Sequence, residues 1–382
     1  MFKEIGATIK KYNYKAINIR LIIYLIAITT LGVITVGSAG GQYYLKRQLM
    51  GAIAGIVIML VVMMISYKFI FKFYWPLYFL TILLLLAVEI FGRINLGAER
   101  WFTIFGIQFQ PSEICKIFLM IFVAVYIAKY KDRLNTFKVL FPLVGLIAIP
   151  LVLIFAEPDL STTIVTAIAL CIIIYLGGLN YRIIFGLLAF ITPFAIVLGY
   201  LIWFHPEIPI LSPHQYNRLI GFYQPENEEA DKIRYQQENA LLAIGSGGLE
   251  GKGLYNNDET SVKNGNLLPE CHTDFIFTIV GEELGFLGAL SIIILLILIV
   301  SECFIVGARC RDNAGKLFCF GVGGLIATQS LVNISVNTML LPNTGLTLPF
   351  VSYGLTSLIS LYIGMGIVLN VGLHRQKKLY NF

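Results

Sequence analysis

The chain has 382 residues, of which 57% are hydrophobic and 13% charged, with a net charge of +6 and a mean hydropathy of +0.80. The charged share is about half that of a soluble domain, which excludes a soluble globular protein. The basic balance does not mark a nucleic-acid binder, because the cations sort by membrane side, as counted below.

An apolar run of about 20 residues crosses the hydrocarbon core as a helix. Ten such runs are predicted, near 17–37, 49–67, 74–92, 110–129, 137–156, 161–179, 183–204, 274–305, 317–340 and 348–372. Open sheets cannot cross lipid, and no period-two alternation suggests a barrel. The expected class is all-α, a polytopic membrane protein with about ten transmembrane helices and one long extracellular loop between helices 7 and 8. It reads as a single integral membrane domain, with helices 1–7 over 1–204, the loop over 205–272, and helices 8–10 and a tail over 273–382.

The first run follows Lys3, Lys10, Lys11, Lys15 and Arg20 and precedes Ser38-Ala39-Gly40, which imitates a cleaved leader. Nine further runs follow it, so it is read as a retained helix. Arg47 opens the second span, and Glu89 and Arg93, four apart, are expected to pair locally. Arg100 and Trp101 fall in a short outer loop before the fourth span, where a tryptophan commonly serves as an interfacial belt residue. The fourth span opens at Pro111. Within it Glu113 and Lys116 share a helix face, either as a buried ion pair that joins helices or as working groups. Glu157-Pro158-Asp159 interrupts the outer turn between the fifth and sixth spans.

The segment from His205 to His272 carries ten acidic and five basic side chains. Glu226 to Asp231 reads as a solvated acidic run, and Tyr235 to Ile244 as a surface helix stopped by Gly245. The apolar residues inside this loop favour docking onto the bundle, and a long ordered loop is usually functional. Gly245 to Gly253 fails the phosphate-loop pattern, with Ser246 where the first glycine belongs and Gly253 where Ser or Thr is needed. A tight turn that brings backbone close to a neighbour fits it better. Next comes Asp274, at the mouth of the eighth span. An aspartate at the bilayer centre costs about 2.5–3.5 kcal/mol by insertion scales, so its presence asks for structure or chemistry. Ser330, Asn333 and Asn337 form a polar stripe suited to interhelical hydrogen bonds. His272 has no second ligand at metal spacing, and the six cysteines suggest neither a disulfide nor a CxxC site.

With ten spans, 18 of the 28 Lys and Arg lie on one face, nine on the other, and Lys116 within a span. The richer face includes both ends, with Arg375, Lys377 and Lys378 at the second, so both termini are expected in the cytoplasm. Carboxylates and cations then gather at the outer ends of the helices. Cations suit a phosphate or pyrophosphate and a carboxylate suits deprotonation of a hydroxyl, which together favour a lipid-linked anionic substrate.

Seven motifs occur in order: Arg47-Gln48; Trp101 with Gln110-Pro111-Ser112-Glu113 and Lys116; Pro158-Asp159-Leu160; Ile244 to Leu249; Pro269-Glu270 with Thr273 to Phe277; Gly281 to Gly285; and Leu348 to Gly354. In these the chain resembles the SEDS (shape, elongation, division and sporulation) family of RodA, FtsW and SpoVE, and RodA most. The resemblance implies a ten-helix peptidoglycan glycosyltransferase that polymerises lipid II on the outer face of a bacterial cytoplasmic membrane. It implies Asp274 as the catalytic carboxylate, read as general base. Arg47, Arg100, Trp101, Glu113, Lys116, Asp159 and Ser352 are candidate substrate-binding residues. It further implies a class B penicillin-binding protein as partner, and a divalent cation, magnesium or manganese, for which no ligand set is evident. The chain departs from the family pattern at Glu157, where glutamine is usual, and at Leu355-Thr356, where smaller residues would let the last helix pack more closely. The competing readings are a lipid II flippase and a scaffold that only recruits the transpeptidase.

Overall fold

The computed structural model describes residues 17–91, 93–95, 98–104, 107–204, 213–223, 228–256, 261–265 and 267–374. The terminal lysines and arginines, from Lys3 to Lys15 and from Arg375 to Lys378, and the Arg93 and Arg100 side chains lie outside the described residues.

The membrane helices are α1 (Ile19–Met64), α3 (Tyr74–Phe91), α4 (Pro111–Lys129), α5 (Phe137–Ala156), α6 (Leu160–Leu176), α7 (Tyr181–Phe204), α10 (Ile276–Arg309), α11 (Asn313–Asn337) and α12 (Leu355–Leu373), with a short α2 (Tyr67–Lys72). Seven of them are long and apolar enough to cross a membrane. The ten expected spans are recovered once α6 and α7 are added and α1 is counted twice.

The double count has a cause at Gly41, whose φ of 77° and ψ of −172° only glycine adopts easily. There the chain turns back on itself. A Cβ on Gly37 would meet the Leu45 side chain, and Thr29 and Gly55, one on each arm, both pack on Tyr362 of α12. The expected loop between the first two spans is therefore absorbed into helix, and Arg47 stands inside the second arm rather than at its start.

A second glycine break divides α10. Gly285 has φ 63° and ψ −163°, leaving a short arm from Ile276 to Leu284 and a long arm from Phe286 to Arg309. Breaking a helix exposes backbone carbonyls and N–H groups that must find partners elsewhere. The glycine-rich segment supplies them: Lys252 and Gly253 N–H donate to the carbonyls of Glu282 and Glu283 (both 2.9 Å), while Phe286 and Leu287 N–H donate to Gly248 (2.9 Å) and Leu249 (3.2 Å). The approach is close enough that a Cβ on Gly247 would fall 2.0 Å from the Gly281 carbonyl. Two buried carboxylates add to this junction. Glu282 takes Lys252 Nζ at 2.8 Å, and Glu283 takes the Lys263 ammonium and the Ser38 hydroxyl. The segment is thus a backbone docking strip, as its glycine content implied.

The long loop between α7 and α10 holds two helices, α8 (Pro213–Tyr223) and α9 (Glu228–Ser246). The expected surface helix begins seven residues earlier than its apolar pattern suggested. Glu228, Glu229 and Asp231 form its first turn, where acidic groups favour the positive end of the helix dipole. Their side chains are exposed, so they are a solvated acidic run as expected and at the same time a helix start. Gln237, fully buried, secures α9 to the C-terminal end of α11 by donating to the Val336 and Leu341 carbonyls.

One small sheet accompanies the helices. Strands β1 (Arg93–Asn95), β2 (Ala98–Ile104) and β3 (Ile107–Phe109) form an antiparallel meander before α4, with Phe102 opposite Phe109. The core sits where α4, α11 and α12 are buried along most of their length, while α3 and α5 turn most of their side chains outward. Between helices in lipid, small residues allow close approach, and α12 uses them against α1: a Cβ on Gly366 would meet the Met59 carbonyl at 2.7 Å. Leu355 does not loosen this contact, as its size suggested it would. Its side chain seats directly over Gly51, which has no side chain to oppose it.

Candidate functional site

Asp274 lies half-buried in the turn over residues 271–275, immediately before the short arm of α10. The turn is held from two sides. Asn333 and Asn337 of α11 each donate Nδ2 to the Asp274 backbone carbonyl at 2.9 Å. From the other side, Tyr353 N–H donates to the His272 carbonyl at 2.9 Å. The polar stripe of α11 makes interhelical hydrogen bonds as its composition suggested, and their target is the carboxylate-bearing residue.

The segment from 338 to 354, between α11 and α12, is the hub of this end of the bundle. Asn333 also donates to the Leu346 carbonyl (2.6 Å), and Gln329 to that of Thr347 (3.0 Å). Ser352 accepts from Leu348 N–H at 2.7 Å, and its carbonyl takes the amide of Gln48 at 3.1 Å. Ser352 therefore closes the turn on which Tyr353 stands.

His272 packs against Tyr44, with ring centres 3.9 Å apart, and Tyr44 packs edge-on against Tyr353. Burial lowers the His272 pKa below the usual 6.5, so the ring is neutral in this setting. The neighbouring Cys271 thiol is pushed up to about 11, chiefly by burial, and is no thiolate nucleophile at neutral pH. Arg47, half-buried, lays its guanidinium over Tyr43 at 4.5 Å from the ring centre. The reversal at Gly41 thus brings Arg47 into the aromatic cluster that flanks the Asp274 turn.

On α4, Glu113 and Lys116 form a buried ion pair of 2.9 Å. The second oxygen of Glu113 and the Ser112 hydroxyl, both buried, have no partner among the described residues. Gln110, just before the helix, links this region to the hub through Thr356, whose hydroxyl accepts its N–H at 3.3 Å. The Gln110 side chain donates to Asp159 at 3.1 Å, while the other Asp159 oxygen caps α6 by accepting from Thr162 N–H. Both Asp159 oxygens are therefore engaged in holding helix ends. Trp101, half-buried, stands on β2 with Arg93 opposite it in the ladder. Arg100 is the strand residue before it.

Sequence reasoning gave no role to Lys252, Lys263, Glu282 and Glu283. Two consecutive acids inside an apolar run were a signal, since each needs a partner at that depth. Among the described residues, no three of His, Cys, Asp and Glu come together at metal-binding spacing.

Residues 13–377 match the family described as cell cycle protein, FtsW/RodA/SpoVE. The chain belongs to the FtsW/RodA/SpoVE family. It is 36% identical over 344 residues to a probable peptidoglycan glycosyltransferase FtsW of Nitrosomonas europaea, covering 88% of this chain and 84% of that one. It is 34% identical to the peptidoglycan glycosyltransferase MrdB of Escherichia coli K12, covering 93% of each. Among solved structures it resembles a chain of a peptidoglycan synthase complex in which polymerization and crosslinking are coordinated, with a TM-score of 0.78 at 27% identity over 94% of this chain and 99% of that one. It also resembles the rod shape determining protein RodA of Thermus thermophilus, with a TM-score of 0.70 at 26% identity over 96% and 99%. These likenesses run through α1 to α12, so the Asp274 site of this FtsW/RodA/SpoVE protein belongs to the family fold rather than to an added domain.

Proposed function

We propose that this chain, a peptidoglycan glycosyltransferase of the FtsW/RodA/SpoVE family, polymerises lipid II at the outer ends of its helices, with Asp274 as general base. One observation carries the reading: a carboxylate stands half-buried at the mouth of the apolar helix α10, in a turn pinned by two buried asparagines and by Tyr353. In this scheme Asp274 takes the proton of the 4-hydroxyl on the acceptor N-acetylglucosamine. That oxygen attacks C1 of the donor N-acetylmuramic acid, and undecaprenyl pyrophosphate leaves. General base catalysis gives typically ~10²–10⁴-fold, so positioning and leaving-group stabilisation must supply the rest.

Arg47 is the cation best placed for the pyrophosphate, because its guanidinium is half-exposed and stacked on Tyr43, with no carboxylate ion-paired to it among the described residues. Lys116 is committed to Glu113, and this buried pair supports the site from within the bundle rather than facing substrate. Trp101 offers an apolar ring to sugar or lipid, and Arg100 a second cation. Asp159 and Ser352 act through the helix ends and the turn that they hold. Magnesium is commonly held by one or two carboxylates together with substrate phosphates. A magnesium or manganese ion would here be carried largely by the pyrophosphate.

The charge sorting supports a cytoplasmic membrane protein with both termini inside and Asp274 outside. A class B penicillin-binding protein is the proposed partner, a reading supported by the likeness to a chain of a synthase complex that coordinates polymerization with crosslinking. A carrier that flips lipid II is disfavoured, since its polar site would lie near the midplane.

The test is polymerisation of labelled lipid II in detergent by the purified protein with its class B partner. Asp274→Asn is run beside wild type, and folding is checked by melting. Glycan ladders from wild type alone are expected. Equal ladders from both would remove Asp274 from the chemistry, and none from folded wild type would overturn the polymerase reading.

A further inference from the structure

A buried carboxamide is costly unless its atoms are satisfied, so where its donors point is informative. Asn333 and Asn337 stand one turn apart on α11, at 1% and 0% exposure. Both direct Nδ2 to the Asp274 carbonyl. The orientation of the Asn337 amide is fixed independently, because its Oδ1 accepts from two groups that can donate, Thr278 N–H (3.1 Å) and Thr278 hydroxyl (2.8 Å).

These partners have a meaning in helix geometry. In a continuous α-helix the carbonyl of residue 274 would accept from the N–H of residue 278. Here the Asn337 carboxamide is inserted between the two, donating to one and accepting from the other. Thr278 N–H also closes a tighter bond to the Phe275 carbonyl at 3.0 Å. A side-chain amide has thus replaced the backbone bond that would draw Asp274 into α10. Asn333 contributes a second donor to the same carbonyl and ties it to the hub through Leu346.

We propose that Asn337, assisted by Asn333, is the positioning residue of the polymerase reaction: it holds Asp274 out of helical geometry and so sets where its carboxylate stands. This rests on the reading of Asp274 as general base. Neither asparagine needs to touch substrate. A displacement of about 1 Å in a reacting group can lower turnover by ~10²-fold, and the inserted amide guards against a shift of that kind.

The experiment measures initial rates of lipid II polymerisation against substrate concentration and pH, using the full chain with its class B partner. The variants are Asn337→Asp, Asn333→Asp, Thr278→Val and Asp274→Asn. Asn337→Asp is nearly isosteric and keeps the acceptor for Thr278, but it turns an oxygen toward the Asp274 carbonyl. It is expected to lower kcat by ~10–100-fold at nearly unchanged KM and to displace the acid limb of the kcat profile. That displacement does not depend on how much of the sample is folded. Thr278→Val keeps the backbone donor and should leave the limb in place. Should Asn337→Asp not fold, Asn333→Asp removes one of the two donors and is expected to displace the limb in the same sense by less.

An acid limb at the wild-type position in both asparagine variants, with only the amplitude reduced, would mean a structural role and overturn the inference. If Asp274→Asn abolishes turnover while both asparagine variants keep wild-type kcat and limb, the positioning role alone fails. If Asp274→Asn keeps the wild-type rate and limb, the base reading fails and the positioning role falls with it.

Discussion

Gly285→Ala probes the junction between the outer loop and the helix that follows Asp274. Two terms add. The backbone at φ 63°, ψ −163° lies in a region essentially restricted to glycine, at a cost of about 1–3 kcal/mol for another residue. The new Cβ would also fall 2.4 Å from Gly251 N and 2.6 Å from the Leu249 carbonyl, with backbone on both sides and no flexible side chain to yield. Relief requires the 248–253 strip to lift away. That forfeits the bonds from Lys252, Gly253, Phe286 and Leu287, each worth ~0.5–1.5 kcal/mol net, for about 2–6 kcal/mol together. The sum, about 3–9 kcal/mol, is an upper bound, because the freed groups near the surface can bind water. Local detachment of the strip therefore costs less than global unfolding, and it should be the first event. Limited proteolysis in detergent measures it directly, with cleavage in the 247–263 region expected well before the helices are cut, together with a lower melting temperature. Gly145→Ala is the control, since Gly145 is exposed on α5 with nothing within 4 Å of an added Cβ. It should gain up to ~1 kcal/mol from helix propensity. A Gly285→Ala protein that resists protease and melts like wild type would refute the argument.

Two further outcomes follow from the charges. Removing one partner of the buried Glu113–Lys116 pair, by Glu113→Gln or Lys116→Met, should destabilise by about 3–5 kcal/mol, because the survivor is left buried and unpaired. The double variant should recover part of the loss in melting temperature, and strict additivity of the single losses would show that the two groups do not act as a pair. His272 predicts a pH dependence. Its native pKa lies below 6.5, so below pH 6.5 the unfolded chain binds the proton more readily and stability falls as pH falls. Above that value the ring contributes no slope. His272→Phe should flatten the change in melting temperature between pH 7.5 and 5.5, and an unchanged slope would exclude His272 as its source.

Much of this architecture was legible because lipid imposes a simple rule on helices, and the ten apolar runs satisfied it directly. Asp274, Glu113 and Lys116 stood out for the complementary reason, as charges where charges are costly. The features that escaped depend on contacts between distant segments. Nothing local in Asn333 or Asn337 names the carbonyl that they hold, 59 and 63 residues away. A loop was expected around Gly41, and what escaped was that a single glycine makes the reversal; Gly285 lay inside one apolar run read as a single span from 274 to 305, so its break was not announced. Leu355 read as a loosening substitution only because Gly51, its partner, lies some 300 residues earlier in the chain. The helix at Glu228 was obscured by an acidic run that resembles a solvated loop in composition.

The reversal at Gly41 bears on how the chain enters the membrane. With no hydrophilic loop between them, the two arms of α1 can be delivered as one hairpin, so almost no polar backbone has to cross ahead of its partners. The groups that do cross, in the orientation proposed here, are Lys46 and Arg47, each resisted by about 2.5–3.5 kcal/mol at the bilayer centre. Five cations flank the opposite end of the first arm, from Lys3 to Arg20, and hold it back on the synthesis side. The same arginine that faces the outer site is therefore a passenger of biogenesis, carried across by the apolar surface on both sides of a single glycine.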